Sequence, residues 1–426
     1  MKISKRSLII TISCAALILI VAGILIMVNS KHFKQQVRVA YYELTDSQKK
    51  AVTTQLESLT TEKGKKVSYT FTELDPAAPL LSQLKNRYDV VFTPLGKNAA
   101  TVTASISEKN AKKISLPQSS LDGATISVHQ EALKNADGTI SALPLLLDHY
   151  EIDIDRTVLN QCGIKTIASW HDIETFAFAA QKYIKSPIVF AGGDYDTFLG
   201  IFGALVESFS GKQAYETAVS TLTKAMDDAE KNKITLNGAD YDTLIKQLSE
   251  TANAPFYNAV QIMARWQRLG LLNPETFHMT KADVSAFMES KSAAIVFITL
   301  AQHRDIEHST IERYSSIYYP SEQNATLRFF SAPVISAVPL TKNINLQSVV
   351  AKLAGSDIQE QLSRDSGLAP IQANCRVADH QADDVRYWIA ATNAPVAPLG
   401  KAVFTDAASE KAFADQLASY VRFLPQ

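Results

Sequence analysis

Residues 37–94 read VRVAYYELTDSQKKAVTTQLESLTTEKGKKVSYTFTELDPAAPLLSQLKNRYDVVFTP, and the order of elements in this stretch decides the fold. Val37–Tyr42 is a β-branched and aromatic run, the composition of a strand. Thr45 or Asp46 then caps a helical stretch to Leu59, in which Ala51, Val52, Leu56 and Leu59 recur at helical spacing. Lys66–Phe71 alternates as a strand, Pro79–Leu84 reads as a short helix, and Tyr88–Phe92 as a second buried strand. A β-α-β-α-β order of this kind predicts a mainly parallel sheet with helices on both faces.

The alternation continues down the chain. Residues 139–154 read as extended, Ser169–Asp172 opens a helix running to about Tyr183, and Pro187–Phe190 is a strand. Long helices are expected near 196–209, 214–230 and 258–269, strands at 293–297 and 330–338, and helices near 346–354, 383–392 and 407–423. No internal repeat or low-complexity segment interrupts the pattern. The expectation is an α/β body with two sheets.

Composition narrows the function. Of 426 residues, 46% are hydrophobic, enough for a substantial core. Forty-two basic against 43 acidic residues leave a formal charge of -1 with no basic stripe, which argues against nucleic acid as a partner. Cysteines 14, 162 and 375 are too few for a disulfide framework or a four-thiolate metal site.

The first 36 residues form a unit of their own. Lys2, Lys5 and Arg6 precede an apolar run from Leu8 to Val28, and as a helix this run spans roughly 30 Å, enough for a hydrocarbon core. The basic residues ahead of it keep the N-terminus in the cytoplasm, so the body is exported. Three readings stay open. The segment is an uncleaved membrane anchor, or a signal removed near Val28-Asn29-Ser30, or a lipidation signal at Cys14. The expected location is the outer face of the cytoplasmic membrane, periplasmic or extracellular.

The sequence contains no GxxxxGK[ST], GxGxxG, HExxH or GxSxG motif. The eight histidines are scattered, and none pairs with Cys, Asp or Glu at metal-ligand spacing, so no metal or cofactor is expected. Asp153-Ile154-Asp155 has the form of a metal-holding DxD, but with no nucleotide fingerprint nearby it reads as a strand end. Ala191-Gly192-Gly193-Asp194-Tyr195-Asp196 directly follows a strand. Glycines there allow a ligand close to backbone, carboxylates accept from hydroxyls, and a tyrosine ring covers apolar C–H faces. The same residues also suit a helix N-cap with Tyr195 packed on the surface.

Several segments in sequence resemble the extracellular solute-binding proteins of ABC transporters, the maltose-binding-protein-like group. Tyr88–Pro94 looks like the family's third strand and its loop, and Asp137–Leu145 like its "GK-I-YA-P" stretch. Asn160–Ile164 followed by Ser169–Ile173 is similar to "-AGI--P-TW-E-". Residues 286–295 resemble "AF--GKAAM" with Ser290 for the glycine, and Ser366–Pro370 resembles the "GLLP" turn with Ala369 for the second leucine. Together these cover about residues 37–375.

The resemblance implies a clamshell of two lobes, each a mainly parallel sheet flanked by helices, with ligand between them. The implied divisions are 1–36 as the anchor or signal, 37–146 plus 331–372 as the first lobe, and 147–330 plus 373–426 as the second. Ligand contacts are expected at loops beyond strand carboxyl ends. These are Tyr42, Glu43 and Thr45 after the first strand, and Thr93, Pro94 and Lys97 after the third. The resemblance adds Asp148 where the family places a glutamate, Asp194, Tyr195 and Asp196 near a lobe-two aromatic contact, and Phe404 through the Pro395-x-x-Pro398 spacing. The family's "G-P-W" reads Ile298-Thr299-Leu300 here, so one stacking ring is missing and Phe297, Thr299 and Gln302 remain as neighbours. Trp170, Trp266 and Trp388 read as core or hinge packing.

The function implied is capture without chemistry. A monomeric soluble body takes a sugar or related polyol in the cleft by hinge closure, then delivers it to an ABC permease and its ATPase. Residues 8–28 are the membrane contact. The alternatives are a membrane-anchored sensing or assembly protein on the same fold, or a carbohydrate-active enzyme using Asp148 and Asp194.

Overall fold

Strand β1 (Gln36–Tyr41) pairs in parallel with β2 (Ser68–Glu73) on one side and β3 (Val90–Pro94) on the other. This is the β-α-β-α-β unit expected from residues 37–94. It belongs to a computed structural model that describes residues 36–424 apart from 62–63, 65, 86, 107–109, 111–113, 126–132, 323–333, 343, 378 and 391–396. The apolar run 8–28 and Cys14 lie outside the described residues. Among the described residues, no helix is long and apolar enough to cross a membrane.

The remaining strands are β4 (Leu133–Lys134), β5 (Ile140–Leu147), β6 (Tyr150–Asp155), β7 (Ile188–Phe190), β8 (Ile295–Thr299), β9 (Tyr314–Ile317), β10 (Val334–Pro339) and β11 (Ala369–Pro370). They form two sheets, one ordered β11-β5-β10-β3-β1-β2 with β4 on β5, the other β7-β8-β6-β9. Both are more mixed than expected. Parallel pairing is confined to β1 with its neighbours and to β7–β8, while β10 runs antiparallel to both β3 and β5, and β6 antiparallel to both β8 and β9. The antiparallel members are the strands on which the chain crosses between sheets, so it re-enters without the helical connection a parallel return needs.

Each sheet carries its own core. The larger gathers Val39, Val91, Phe92, Leu145 and Val338, and the smaller gathers Ile152, Phe190, Phe202, Trp266 and Phe297. The chain crosses directly from β5 to β6 through Asp148 and His149 and returns between β9 and β10. The helix His380–Ala390 places Ala382, Val385 and Ile389 in the larger core, a departure from the division that assigns 373–426 to the other lobe. The helices Leu399–Val403 and Ala407–Arg422 then join the smaller core through Leu399, Val403, Phe413 and Leu417. Trp388 packs edge-on to His149 and to Tyr318, one ring on each crossing.

Strand β6 shows why the smaller sheet forms as it does. All six of its residues are buried. The period of two sends Tyr150, Ile152 and Ile154 into the apolar core and Glu151, Asp153 and Asp155 to the opposite face. Buried carboxylates need partners. Asp155 accepts from the backbone N–H groups of Thr157 and Val158, capping the helix Arg156–Gln161, and pairs with Arg313.

Phe297 on β8 is enclosed by rings. It stacks on Trp170 at 6.4 Å, tilts against Trp266 at 5.8 Å and meets Phe190 and Tyr319 edge-on. Trp170 donates to the Ser208 hydroxyl and the Pro320 carbonyl, and Trp266 to Glu174. Phe297→Ala leaves a cavity in this cluster and is expected to cost about 3–5 kcal/mol, read from urea denaturation.

Candidate functional site

The crossing from β5 to β6 opens onto a cavity of about 190 Å³ between the two sheets. Its wall is polar and drawn from both. Glu43, Thr45, Gln48 and Pro94 come from the larger-sheet side, Asp196, Thr197, Thr299, Gln302 and Lys401 from the smaller, and Asp148 from the crossing itself. Tyr150 supplies the aromatic ring at the wall.

Local sequence places these groups. Thr45 caps the helix Asp46–Ser58 in a capping box with Gln48, which turns both side chains toward the helix start. Thr299 and Gln302 form a second capping box on the helix Leu300–Asp305. Glu43 follows β1 with φ of 55°, a left-handed conformation that costs a non-glycine residue free energy and is found at sites where surrounding structure imposes it.

Lys401 is the electrostatic centre. Its Nζ lies 3.2 Å from Glu43, 3.3 Å from Asp196 and 3.1 Å from Glu410. Burial disfavours the ammonium, but Asp196, Glu410 and Glu43 outweigh it and hold its pKa well above the ordinary lysine value. Burial pushes Glu410 up to about 8, against the pull of Lys401, and raises Glu43 as well. Gly400 is required here, because a Cβ at that position would overlap the Glu410 carboxylate.

Asp148 is 6% exposed, and its Oδ1 accepts from the backbone N–H of His149 at 2.7 Å and of Ala301 at 3.2 Å. Burial lifts its pKa to about 6, with those hydrogen bonds opposing. The cavity therefore presents carboxylates at Glu43, Asp148, Asp196 and Asp305 against ammonium groups at Lys281 and Lys401. An acid-rich wall of this kind accepts hydrogen bonds from hydroxyls and disfavours phosphate.

Of the fourteen residues singled out in the sequence, the structure brings Glu43, Thr45, Pro94, Asp148, Asp196, Thr299 and Gln302 to this wall. Tyr42 is fully buried and its hydroxyl reaches the carbonyls of Pro76, Ala78 and Thr405. Thr93 is likewise buried within β3, and Phe297 is core. Phe404, 2% exposed, packs on Phe413, because Pro398 starts a helix that turns Lys401 to the cavity and leaves Phe404 on the core side. Asp194 caps the helix Tyr195–Ser210 and faces Lys281 at 3.6 Å, while Tyr195 packs against the smaller core. Gly192 and Gly193 abut the backbone of Thr276–Met279, not open cleft. Lys97 pairs with Asp227 at 2.7 Å. Lys401 and Gln48 were missed, although the Thr45-x-x-Gln48 spacing carried the second.

No protein-family profile matches the sequence, and no curated protein does. Solved structures do. The bacterial solute receptor AcbH, described as preferring β-D-galactopyranose, superposes with a TM-score of 0.65 at 12% identity over 90% of this chain and 96% of that one. A chitin oligosaccharide binding protein gives 0.62 at 12% over 90% and 94%. The binding protein MsmE of Bacillus subtilis, in an open conformation, gives 0.60 at 12% over 91% and 96%.

The pH dependence of stability tests the state of Asp148. With a folded pKa near 6 against an ordinary 3.8, the folded chain keeps a proton that the unfolded chain releases between those values, so stability falls as pH rises across that window. Asp148→Asn removes this loss. Relative to the native chain, the variant should gain about 2–3 kcal/mol between pH 4 and pH 7 in urea denaturation; parallel profiles would show an unperturbed carboxyl. The two-sheet α/β architecture of this chain is that of the solute-binding receptors, as the resemblance in its sequence implied.

Proposed function

We propose that the chain is the extracytoplasmic solute-binding component of an ABC importer, and that it captures a neutral monosaccharide or similar small polyol between its lobes. The observation that carries this reading is the cavity at the β5–β6 crossing, lined from both sheets by hydrogen-bonding side chains, in a fold shared with sugar receptors. At about 190 Å³ the cavity is below the roughly 300–1,000 Å³ of drug-sized sites, which favours one sugar ring over an oligosaccharide. A single aromatic ring at the wall, and Leu300 in place of a stacking residue, also disfavour a long saccharide.

Capture works by closure. Glu43 on one side and Asp196 on the other contact the same ligand only when the lobes are together, so ligand favours the closed arrangement. The ion pairs Lys401–Glu43 and Lys97–Asp227 span the same boundary. Ligand hydroxyls donate to Glu43, Asp148 and Asp196, while Thr299 and Gln302 supply groups that both donate and accept. The closed shape then docks on the permease, and residues 8–28 hold the body at the membrane. The protein itself performs no bond chemistry, a reading favoured by its receptor neighbours.

Calorimetric titration against neutral monosaccharides, raffinose and hexose phosphates tests the proposal. One neutral monosaccharide class should bind, with affinity falling at least about tenfold in Glu43→Ala or Asp148→Ala, since each removes a charge-assisted hydrogen bond. Hexose phosphates should not bind. A folded sample that binds none of these, or one that hydrolyses raffinose, would contradict the reading.

A further inference from the structure

On the face of the smaller sheet away from its aromatic core, Glu151 and Asp153 of β6 meet His303 of the helix Leu300–Asp305. Glu151 and Asp153 are fully buried, and the His303 side chain is 13% exposed. His303 Nδ1 lies 3.1 Å from Glu151 Oε1 and 3.3 Å from Asp153 Oδ2, and the three atoms are within 4.8 Å of one another. None of these three atoms makes a hydrogen bond of acceptable geometry. They point at a common centre instead.

The other oxygen of each carboxylate is held. Gln381 Nε2 donates to Glu151 Oε2 at 2.5 Å, and the Ser316 hydroxyl donates to Asp153 Oδ1 at 2.6 Å. Each carboxylate is thus fixed through one oxygen and offers the second inward, the outer-shell arrangement that orients metal ligands. Bonds of about 2.0–2.2 Å from a cation to N and O donors place neighbouring ligand atoms roughly 3.0–3.5 Å apart, the spacing seen around Nδ1. An open cavity of about 760 Å³, walled in part by His303, Ser316 and Gln381, gives an ion and its waters access.

We propose that Glu151, Asp153 and His303 form a binding site for one divalent transition-metal cation of the Zn²⁺ or Mn²⁺ type, separate from the interlobe cavity. Two carboxylates balance the charge, and the imidazole favours a transition metal over Mg²⁺ or Ca²⁺, which take oxygen ligands. Water completes the coordination from the open side. Gln381 belongs to the helix that packs on the larger sheet, so the ion braces the smaller sheet against that helix beside the crossings. The DxD spacing pointed only partly this way, because Asp155 is taken by its cap and by Arg313, and the partner of Asp153 is the residue two before it.

The test uses the full chain stripped of metal with a chelator, then dialysed against Zn²⁺, with Co²⁺ as a spectroscopic probe. One Zn²⁺ per chain should bind, and Co²⁺ should give visible d–d absorption. His303→Gln should abolish both. Gln381→Ala, a milder change outside the ligand set, should weaken Zn²⁺ binding roughly 10–100-fold while far-ultraviolet circular dichroism stays native. Absence of a stoichiometric ion, or native affinity in either variant, would overturn the proposal and leave the cluster as an ionic contact between an imidazolium and two carboxylates.

Discussion

The ammonium of Lys401 is the constraint on which the site depends. A buried cation is tolerated only with close anionic partners, and removing them leaves a cost of several kcal/mol. Three carboxylates from three separate stretches of chain, Glu43, Asp196 and Glu410, meet that need. Glu43 comes from the end of β1 in the larger sheet, Asp196 from the first turn of a helix on the smaller sheet, and Glu410 from the C-terminal helix. Satisfying one charge therefore sets how three elements approach one another in the closed arrangement. It also accounts for the glycine at position 400, where a Cβ would overlap the Glu410 carboxylate.

Around that charge, a short piece of chain serves both faces of the smaller sheet. The crossing at Asp148 and His149 leads into β6, whose even-numbered side chains build the apolar core and whose odd-numbered acids face the other way. The helix Leu300–Asp305 answers them on both sides. Its first turn gives Thr299, Ala301 and Gln302 to the interlobe cavity, and its next residue gives His303 to Glu151 and Asp153. Without a bound cation, burial pushes Glu151 up to about 7, with Asp153 adding to it, whereas the two carboxylates overcome burial to raise His303 to about 10.

Residues 37–94 were legible because each element announces itself locally: a β-branched run, a capped amphipathic helix, an alternating strand. The helices Tyr195–Ser210, Lys212–Asn232 and Tyr257–Arg268 carry clear periodicity; Gly238–Ser249 went unread although Tyr241, Leu244, Ile245 and Leu248 recur at helical spacing, whereas Ser356–Ser366 offers only Ile358 and Leu362. The short β9 has no strand composition and forms because β6 offers it a partner. At the site, position in the fold found Glu43, Thr45, Pro94, Asp148, Asp196, Thr299 and Gln302. Side-chain direction was beyond reach, so Tyr42, Phe297 and Phe404 were selected for chemistry that burial removes from the cavity. Lys401 was invisible for the opposite reason, since a lone lysine in a short helix carries no sign of three acids converging from afar. His303 read as a surface histidine because its partners lie about 150 residues away.

A ligand held by both lobes at once must change the distance between them. Spin labels placed at exposed Lys85 beside the larger sheet and exposed Lys231 beside the smaller, with the native cysteines replaced, would report that distance by pulsed electron resonance. The account predicts two interlobe distances in the free chain and collapse to the shorter on adding the saccharide that binds. Binding with no change in the distance distribution would contradict it.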